Sequence, residues 1–417
     1  MAAPFTLPIQ VVEAGRHTAW LVEDHTVPVV SLAWSWPGGA ARDPAGGEGT
    51  AAMAAAMLTE GAGDMPALAF ADALRDSAIQ LGFTAGRDSF EGSFRCLADA
   101  LPEALRLARL AMTAPRLDAE ALERVRARAV AAARQALESP RGQAGRAFWA
   151  AAFPGHPAGR PATGTAESLA AVPPEAIRAA LAGQIRRDGL LVAAAGAIRP
   201  EALARLLAEL FGPLPEGAPE APPPLPAFAS FGRSVVPVAA PQSQVVIGQP
   251  GIPPQDPDWE AAQVVLRILG GGGFSSRLME AVRVQRGLTY GIGVGLDTLF
   301  RGGVVTGAFA TENARVAEAL EVTKAVWAEL AAQGPSAAEV EEAVAYLTGS
   351  LPLQFTDSRR IAATLLAMRR NDRPLDWLNG RTARLEAITA AEARRVAASL
   401  LKPEALAVTI AGQPVGL

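Results

Sequence analysis

The sequence predicts an α+β protein of two homologous domains, each a mostly antiparallel sheet with long helices packed on one side. Three observations carry this expectation. The 417 residues exceed what one hydrophobic core ordinarily organises and suit two domains of about 200. A proline-dense stretch, "FGPLPEGAPEAPPPLPAFASFGR" from Phe211 to Arg233, divides the chain near its middle, and such density excludes helix and central strand. On either side the same elements recur in the same order, roughly 215 residues apart, which marks a duplicated domain rather than a short solenoid repeat. The expected limits are a domain over 1–212, a linker over 213–233 and a second domain over 234–417.

In the first half "VVSLAWSW" reads as a strand, followed by the loop "PGGAARDPAGGEG" and the helix "TAAMAAAML"; "GLLVAAAGAI" supplies a strand near its end. The second half offers the strand "SQVVIGQPGI", a loop, the helix "DWEAAQVVLRILG" and a last strand, "ALAVTIAGQP". Long helices lie between these landmarks. "DAEALERVRARAVAAARQALE" opens at a capping-type aspartate, Asp118, while Ser336/Glu339 and Thr389/Glu392 have the spacing of capping boxes.

Composition removes several classes of function. Half the residues are hydrophobic and 19% charged, as in a folded globular chain. A net charge of −4 gives no global attraction to nucleic acid or anionic lipid, and the arginines of "RVRARAVAAARQ" alternate with alanine as on a solvated helix face. Cys96 is the only cysteine, which rules out an internal disulfide and a thiolate zinc site; in "SFEGSFRCLADAL" its spacing is that of a small buried hydrophobe. No run of 18 apolar residues appears, and "MAAPFTLPIQ" lacks the charged start of a secretory leader. Cytoplasm is therefore one expectation and periplasm, after trimming of a leader, the other.

Histidine is limited to His17, His25 and His156, none within helical reach of another; His156 in "FPGHPAGRP" reads as a loop-ordering residue. There is no Gly-x-Ser-x-Gly elbow, and Ser275 and Ser276 stand where a helix N-cap is expected. The run Gly270–Gly273 before that helix could cradle an anion, but it follows a helix and lacks Gly-Lys-Ser/Thr; a flexible loop approaching extended peptide backbone is an equal reading. The helix, roughly Ser275 to Arg286, ends at Gly287. In "LTYGIGVGL" the alternation places Leu288, Tyr290, Ile292, Val294 and Leu296 on one face and Gly291, Gly293 and Gly295 on the other, where another backbone could come close. Tyr290, one of only two tyrosines, follows a helix bearing Arg283 and Arg286. Packing and function explain it equally well, for a buried hydroxyl needs a partner and an adjacent arginine completes a donor pair suited to a carbonyl.

Together, "PVVSLAWSWPGGAARDPAGGEGTAAMAAAMLTEGAG", "FWAAAFPGHPAGRPATGTAESLAAV" and "GGGGFSSRLMEAVRVQRGLTYGIG" resemble, in order, the pitrilysin/insulinase family of inverted-motif zinc peptidases, in the branch with mitochondrial processing peptidase. The resemblance spans essentially the whole chain and implies that the two domains form half of a clamshell. It also exposes a departure. Active members carry His-x-x-Glu-His on the first helix, two histidines for zinc and a glutamate to activate water; the matching positions here are Ala52, Ala55 and Ala56. A further ligand is implied on a later helix, which reads "AVAAA" from Ala129 to Ala133. The family's second-domain arginine and tyrosine, which bind substrate backbone and stabilise the oxyanion, match Arg283 and Tyr290.

The resemblance therefore implies a non-catalytic, substrate-binding subunit of a heterodimeric zinc metallopeptidase. No cofactor is expected in this chain; zinc is expected in a homologous His-x-x-Glu-His-bearing partner, and the substrate is an unfolded peptide. Gly271, Gly272, Gly273 and Phe274 are the expected substrate-side loop. Nucleic acid and membrane are not expected partners. The alternatives are a catalytically dead scaffold subunit of a larger assembly and an active enzyme with unusual ligands.

Overall fold

The computed structural model describes residues 5–417 and folds into two compact α+β units. Unit 1 comprises residues up to Arg134 together with Pro161–Pro223 and Pro352–Asn379; unit 2 comprises Gln135–Arg160, Pro224–Leu351 and Gly380–Leu417. The units are therefore interleaved in sequence, unlike the contiguous limits that the proline-rich junction suggests. Each half of the chain contributes one helical segment to the unit built mainly from the other half. The proline-rich stretch has no helix or sheet strand between residues 214 and 232, and the unit boundary falls within it, at Pro223/Pro224.

In unit 1 the strands β1 (Ile9–Ala14), β2 (His17–Glu23), β3 (Val29–Pro37), β4 (Gln80–Ala85), β5 (Ser89–Leu97) and β6 (Leu191–Gly196) form one sheet in the order β1-β2-β6-β3-β5-β4. Only β2 and β6 run parallel. Period-two alternation gives the sheet two unlike faces. Leu32, Trp34 and Trp36 of β3 and Phe90, Phe94 and Cys96 of β5 enter the main core with the helices Leu101–Thr113 and Pro200–Phe211. Trp34 packs edge-on against Phe83, Phe94 and Phe211, with ring centroids 5.8, 6.2 and 5.8 Å away. Cys96 is buried as expected, and burial pushes its thiol up to about 12.

The opposite face carries small residues: Ser31, Ala33, Ala193 and Ala195 are all buried. They let the helix Ser358–Arg370 lie close. It is fixed by a 2.9 Å hydrogen bond between the Ser31 and Ser358 hydroxyls and by Arg369, whose guanidinium donates to the Thr18 and Val192 carbonyls at 2.5 and 2.6 Å.

Unit 2 repeats the plan. Strands β7 (Arg233–Pro237), β8 (Gln242–Pro250), β9 (Ile292–Leu299), β10 (Gly302–Glu312) and β11 (Ala407–Gly412) are ordered β9-β10-β8-β11-β7, again with one parallel pair, β11 with β7. With β8 as the counterpart of β3, this matches β4-β5-β3-β6-β2 strand for strand, so the duplication expected from the sequence is present in the topology. The helix Pro140–Ala152 packs on β8 and β11, taking the place that Ser358–Arg370 takes in unit 1. The α+β class is as expected, with the addition that each sheet has a helix on its second face too. Within the core, the Trp327 indole N–H and the Lys402 amide donate to the buried Gln249 side-chain oxygen, both at 2.9 Å, and Gln249 donates to the Leu400 carbonyl at 2.6 Å.

The capping box at Ser336 and Glu339 is complete. Thr389 accepts from the Glu392 amide at 3.1 Å. The Asp118 carboxylate, expected as a cap, instead accepts from Arg116 at 2.7 and 3.3 Å, a charged donor outcompeting a helix amide. Among the described residues, no helix is long and apolar enough to cross a membrane.

Candidate functional site

The first-domain helix is Thr50–Met57, and its N-terminus is organised by a residue that sequence patterning does not flag. The Asp43 carboxylate, buried in the preceding loop, accepts the Gly49 and Ala51 amide hydrogens, each at 2.8 Å. An anion at a helix N-terminus satisfies orphan donors and meets the favourable end of the helix dipole. Gly49 itself sits at φ +90, where glycine is favoured. The loop thus presents a well-fixed helix.

What it presents is methyl groups. Ala52 and Ala56 are half-buried, Ala55 is 2% exposed, and the spacing places all three on one face. Ala56 packs against the unit 1 core together with Ala129, Val130 and Ala133 of the helix Ala119–Glu138. The acid that follows the helix, Glu60, is engaged by Arg124 at 2.7 Å and Arg128 at 3.5 Å. An alanine methyl has no lone pair to give a metal, so these residues do not fit zinc. Nor do three or more His, Cys, Asp or Glu cluster in a metal-holding arrangement among the described residues. His156 orders its loop by accepting the Ala158 amide at 3.1 Å, and burial lowers its basicity.

The second candidate, in unit 2, runs from the glycine run to β9. The helix Trp259–Leu266 passes into a wide π-type turn over Arg267–Gly271, then a 3₁₀ turn over Gly273–Ser275, then a second π-type segment over Met279–Val284. Such wide turns recur at functional sites. The glycines are not interchangeable spacers. A Cβ on Gly270 would fall 2.8 Å from the Val294 side chain and 3.0 Å from its amide nitrogen, so glycine allows the turn to rest on β9. Gly273 adopts φ +60. Gly271 ends the π-type turn and Gly272 follows it, and an added Cβ on them would meet backbone oxygens at 3.3 and 2.9 Å. Gly270 is thus buried against β9, while Gly271 and Gly273 are exposed at the surface of the unit.

Three anchors fix the segment between this run and β9. Arg277 grips Glu339 with hydrogen bonds of 2.7 and 2.8 Å, and this pairing pulls the Glu339 carboxyl down to about 2. Gly287, at φ +58, closes the helix by donating to the Arg283 carbonyl at 2.8 Å, and the Leu288 amide donates to the Val282 carbonyl at 2.9 Å. Arg315 then clamps the turn, donating to the Arg286 and Gly287 carbonyls, both at 3.0 Å. Arg286 is turned back onto the Ala281 carbonyl at 2.9 Å.

On this frame Arg283 is half-buried, with its guanidinium 4.4 Å from the centre of the Phe274 ring, a cation–π contact. Phe274 is itself 65% exposed. Two expected residues, Arg283 and Phe274, are therefore brought together. Tyr290 is not buried as the alternation suggested. The Thr289 hydroxyl donates to the Ala310 carbonyl at 2.7 Å, and the Thr311 hydroxyl donates to the Leu288 carbonyl at 2.6 Å; these bonds turn both Leu288 and Thr289 inward. Tyr290 is displaced to the surface, 84% exposed, and makes no hydrogen bond among the described residues. Beyond it, Ile292 and Val294 are buried, while Gly291, Gly293 and Gly295 have no atom within 4 Å of where a Cβ would stand. The glycine face of β9 is open, and β9 is an edge strand with one row of backbone groups free of sheet pairing. Arginine and tyrosine donors near an open strand face can engage an extended peptide and a carbonyl or oxyanion.

Known proteins share this architecture. The family model described as the peptidase M16 inactive domain matches residues 172–347. A Helicobacter pylori protein described as the non-peptidase homolog YmxG is 25% identical over 344 residues, 82% of this chain and 79% of that one. An uncharacterized zinc protease of Mycobacterium leprae is 31% identical over 229 residues, 53% of this chain, and is matched over only 50% of its own length. Among solved structures, a peptidase M16 inactive domain from Pseudomonas fluorescens superposes with a TM-score of 0.92 at 24% identity, covering 98% of this chain and 99% of that one. The fold is thus that of the M16 inactive domain, whose family model matches residues 172–347, and alanine stands at all three positions that the first-helix zinc motif would occupy.

Proposed function

We propose that this chain is the non-catalytic, substrate-binding subunit of a two-chain zinc metallopeptidase. A homologous His-x-x-Glu-His chain holds the metal, and this chain offers Arg283 and Tyr290 to an extended peptide. Arg283 donates to a substrate carbonyl and Tyr290 to the developing oxyanion. Zinc on the partner would polarise the scissile carbonyl and activate water. This chain's own part is to bind and orient.

The observation that carries the reading is the exposure of Tyr290. A tyrosine kept for packing would be buried with its hydroxyl partnered, whereas this one stands 84% exposed at the head of an edge strand whose glycine face is open. A relative described as an uncharacterized zinc protease supports choosing a zinc-bearing homologue as the partner.

The test is reconstitution. The purified chain is mixed with a homologous chain bearing the intact motif, and cleavage of an unstructured fluorogenic peptide is measured. Cleavage only when both chains are present supports the proposal. A partner that is fully active alone overturns it in favour of a scaffold role.

A further inference from the structure

Unit 1 contains a cavity of about 470 Å³ between its sheet and the helix Ser358–Arg370, on the face away from the main core. Its floor is built from three rungs, Gln80–Arg95–Ser31 and Gly82–Ser93–Ala33 across β4, β5 and β3, and Thr84–Glu91 across β4 and β5. The helix covers the inner end of each rung and leaves the outer end open, so that Ser93, Gln80 and Thr84 remain exposed. Arg359, Ala363, Leu366 and Arg370, spaced by three or four residues, form the helical wall.

The charges are unbalanced. Arg370 pairs with Glu91, which also accepts from the Ser89 hydroxyl at 2.9 Å, so these two neutralise each other. Arg95 and Arg359 have no counter-charge among the described residues. The Arg95 Nε is buried without a hydrogen-bond partner, and its guanidinium forms no ion pair among the described residues. A buried donor left unmade costs about 1–3 kcal/mol, more when charged. A half-buried guanidinium lining a cavity of this size has the charge and the donors to suit an anion.

We infer that this groove binds a carboxylate-bearing peptide segment. The segment lies extended along the strands, its carboxylate meets Arg95 and Arg359, and its apolar side chains rest against Leu366 and the alanines of the helix. The three rungs span about 13 Å, room for some four extended residues. A carboxylate matches the two free guanidiniums in charge and in fork geometry. The inference does not rest on Arg283 and Tyr290, which lie in the other unit, and it is tested on this chain alone.

The probe is N-acetyl-Ala-Leu-Ala-Glu with a free C-terminus, titrated calorimetrically into the full chain. Saturable binding is expected, weakened at least tenfold when the peptide carries Gln and a C-terminal amide in place of both carboxylates. Versions retaining only one carboxylate identify which of the two is read. Arg95→Gln removes no existing pairing, so the fold should be retained, and it should weaken binding at least tenfold. Ala363→Trp, at an exposed wall position, should obstruct the groove equally while circular dichroism stays unchanged. The inference is overturned if no saturable binding appears up to millimolar peptide, if the carboxylate-free peptide binds as tightly, or if Ala363→Trp binds like the wild type.

Discussion

Arg277 holds Glu339 through two parallel hydrogen bonds, tying the segment after the glycine run to the first turn of the helix Ala337–Gly349. The Glu339 carboxylate also accepts the Ser336 amide and hydroxyl, both at 2.8 Å, so one side chain closes a capping box and anchors the frame that carries Arg283. Its carboxyl titrates at about 2, chiefly because of the hydrogen bond from Arg277. A depressed carboxylate stabilises the fold fully above its unfolded value near 4.5, and the contribution disappears as pH falls from there towards 2. Glu339→Gln should therefore cost about 1–2 kcal/mol at neutral pH after allowance for solvent screening. The gap in urea midpoint between wild type and variant should narrow progressively as pH falls from about 5 towards 2. A gap that is constant with pH would assign the role of Glu339 to shape rather than charge.

Arg283→Ala and Tyr290→Phe should leave urea midpoints nearly unchanged, because neither side chain is in the core and Tyr290 makes no hydrogen bond among the described residues. In the reconstituted pair each should lower kcat/KM, by about 10²–10³ where an oxyanion donor is lost. Rates within threefold of wild type would remove the two residues from the mechanism.

Gly293→Val offers a separation of stability from function. Nothing lies within 4 Å of the added Cβ, and valine favours strands, so the unit should fold at least as well. If an extended substrate approaches this face of β9, the branched side chain should raise KM several-fold with little effect on the melting temperature. An unchanged KM would leave the open glycine face without a role in substrate capture.

Asp43→Ala would leave the Gly49 and Ala51 amides buried and unpaired. A loss of about 2–3 kcal/mol is expected, read as a lower denaturation midpoint. Asp43→Asn should recover part of it, since the amide oxygen can still accept one of the two bonds.

The fold is legible in the sequence because its signals are periodic and local. Alternation marks the strands, proline marks the junction, and repetition of whole motifs marks the duplication. Three features escape such signals. Alternation puts Tyr290 on the buried face because it assumes continuous strand, whereas the Thr289 and Thr311 hydroxyl bonds break the period just before β9 begins. The glycine run suggests mobility, since composition does not reveal that Val294 lies 2.8 Å from the Gly270 Cβ position. In "SFEGSFRCL" the apolar positions announce a core, while the polar ones, Ser89, Glu91, Ser93 and Arg95, announce nothing, although the same alternation puts them together on the second face. What these cases share is dependence on a partner strand or helix far away in sequence.

The exchange of helices between the halves has a consequence for biogenesis. On the ribosome, unit 1 lacks Ser358–Arg370 until most of the chain has emerged, and until then the small-residue face around Ser31, Ala33, Ala193 and Ala195 stays uncovered. Neither half is a self-sufficient folding cassette, so a gene cut at the proline-rich junction should yield two fragments that gain solubility only when co-expressed. The tandem chain, rather than either half, is therefore the smallest stretch of sequence that supplies every element of either unit.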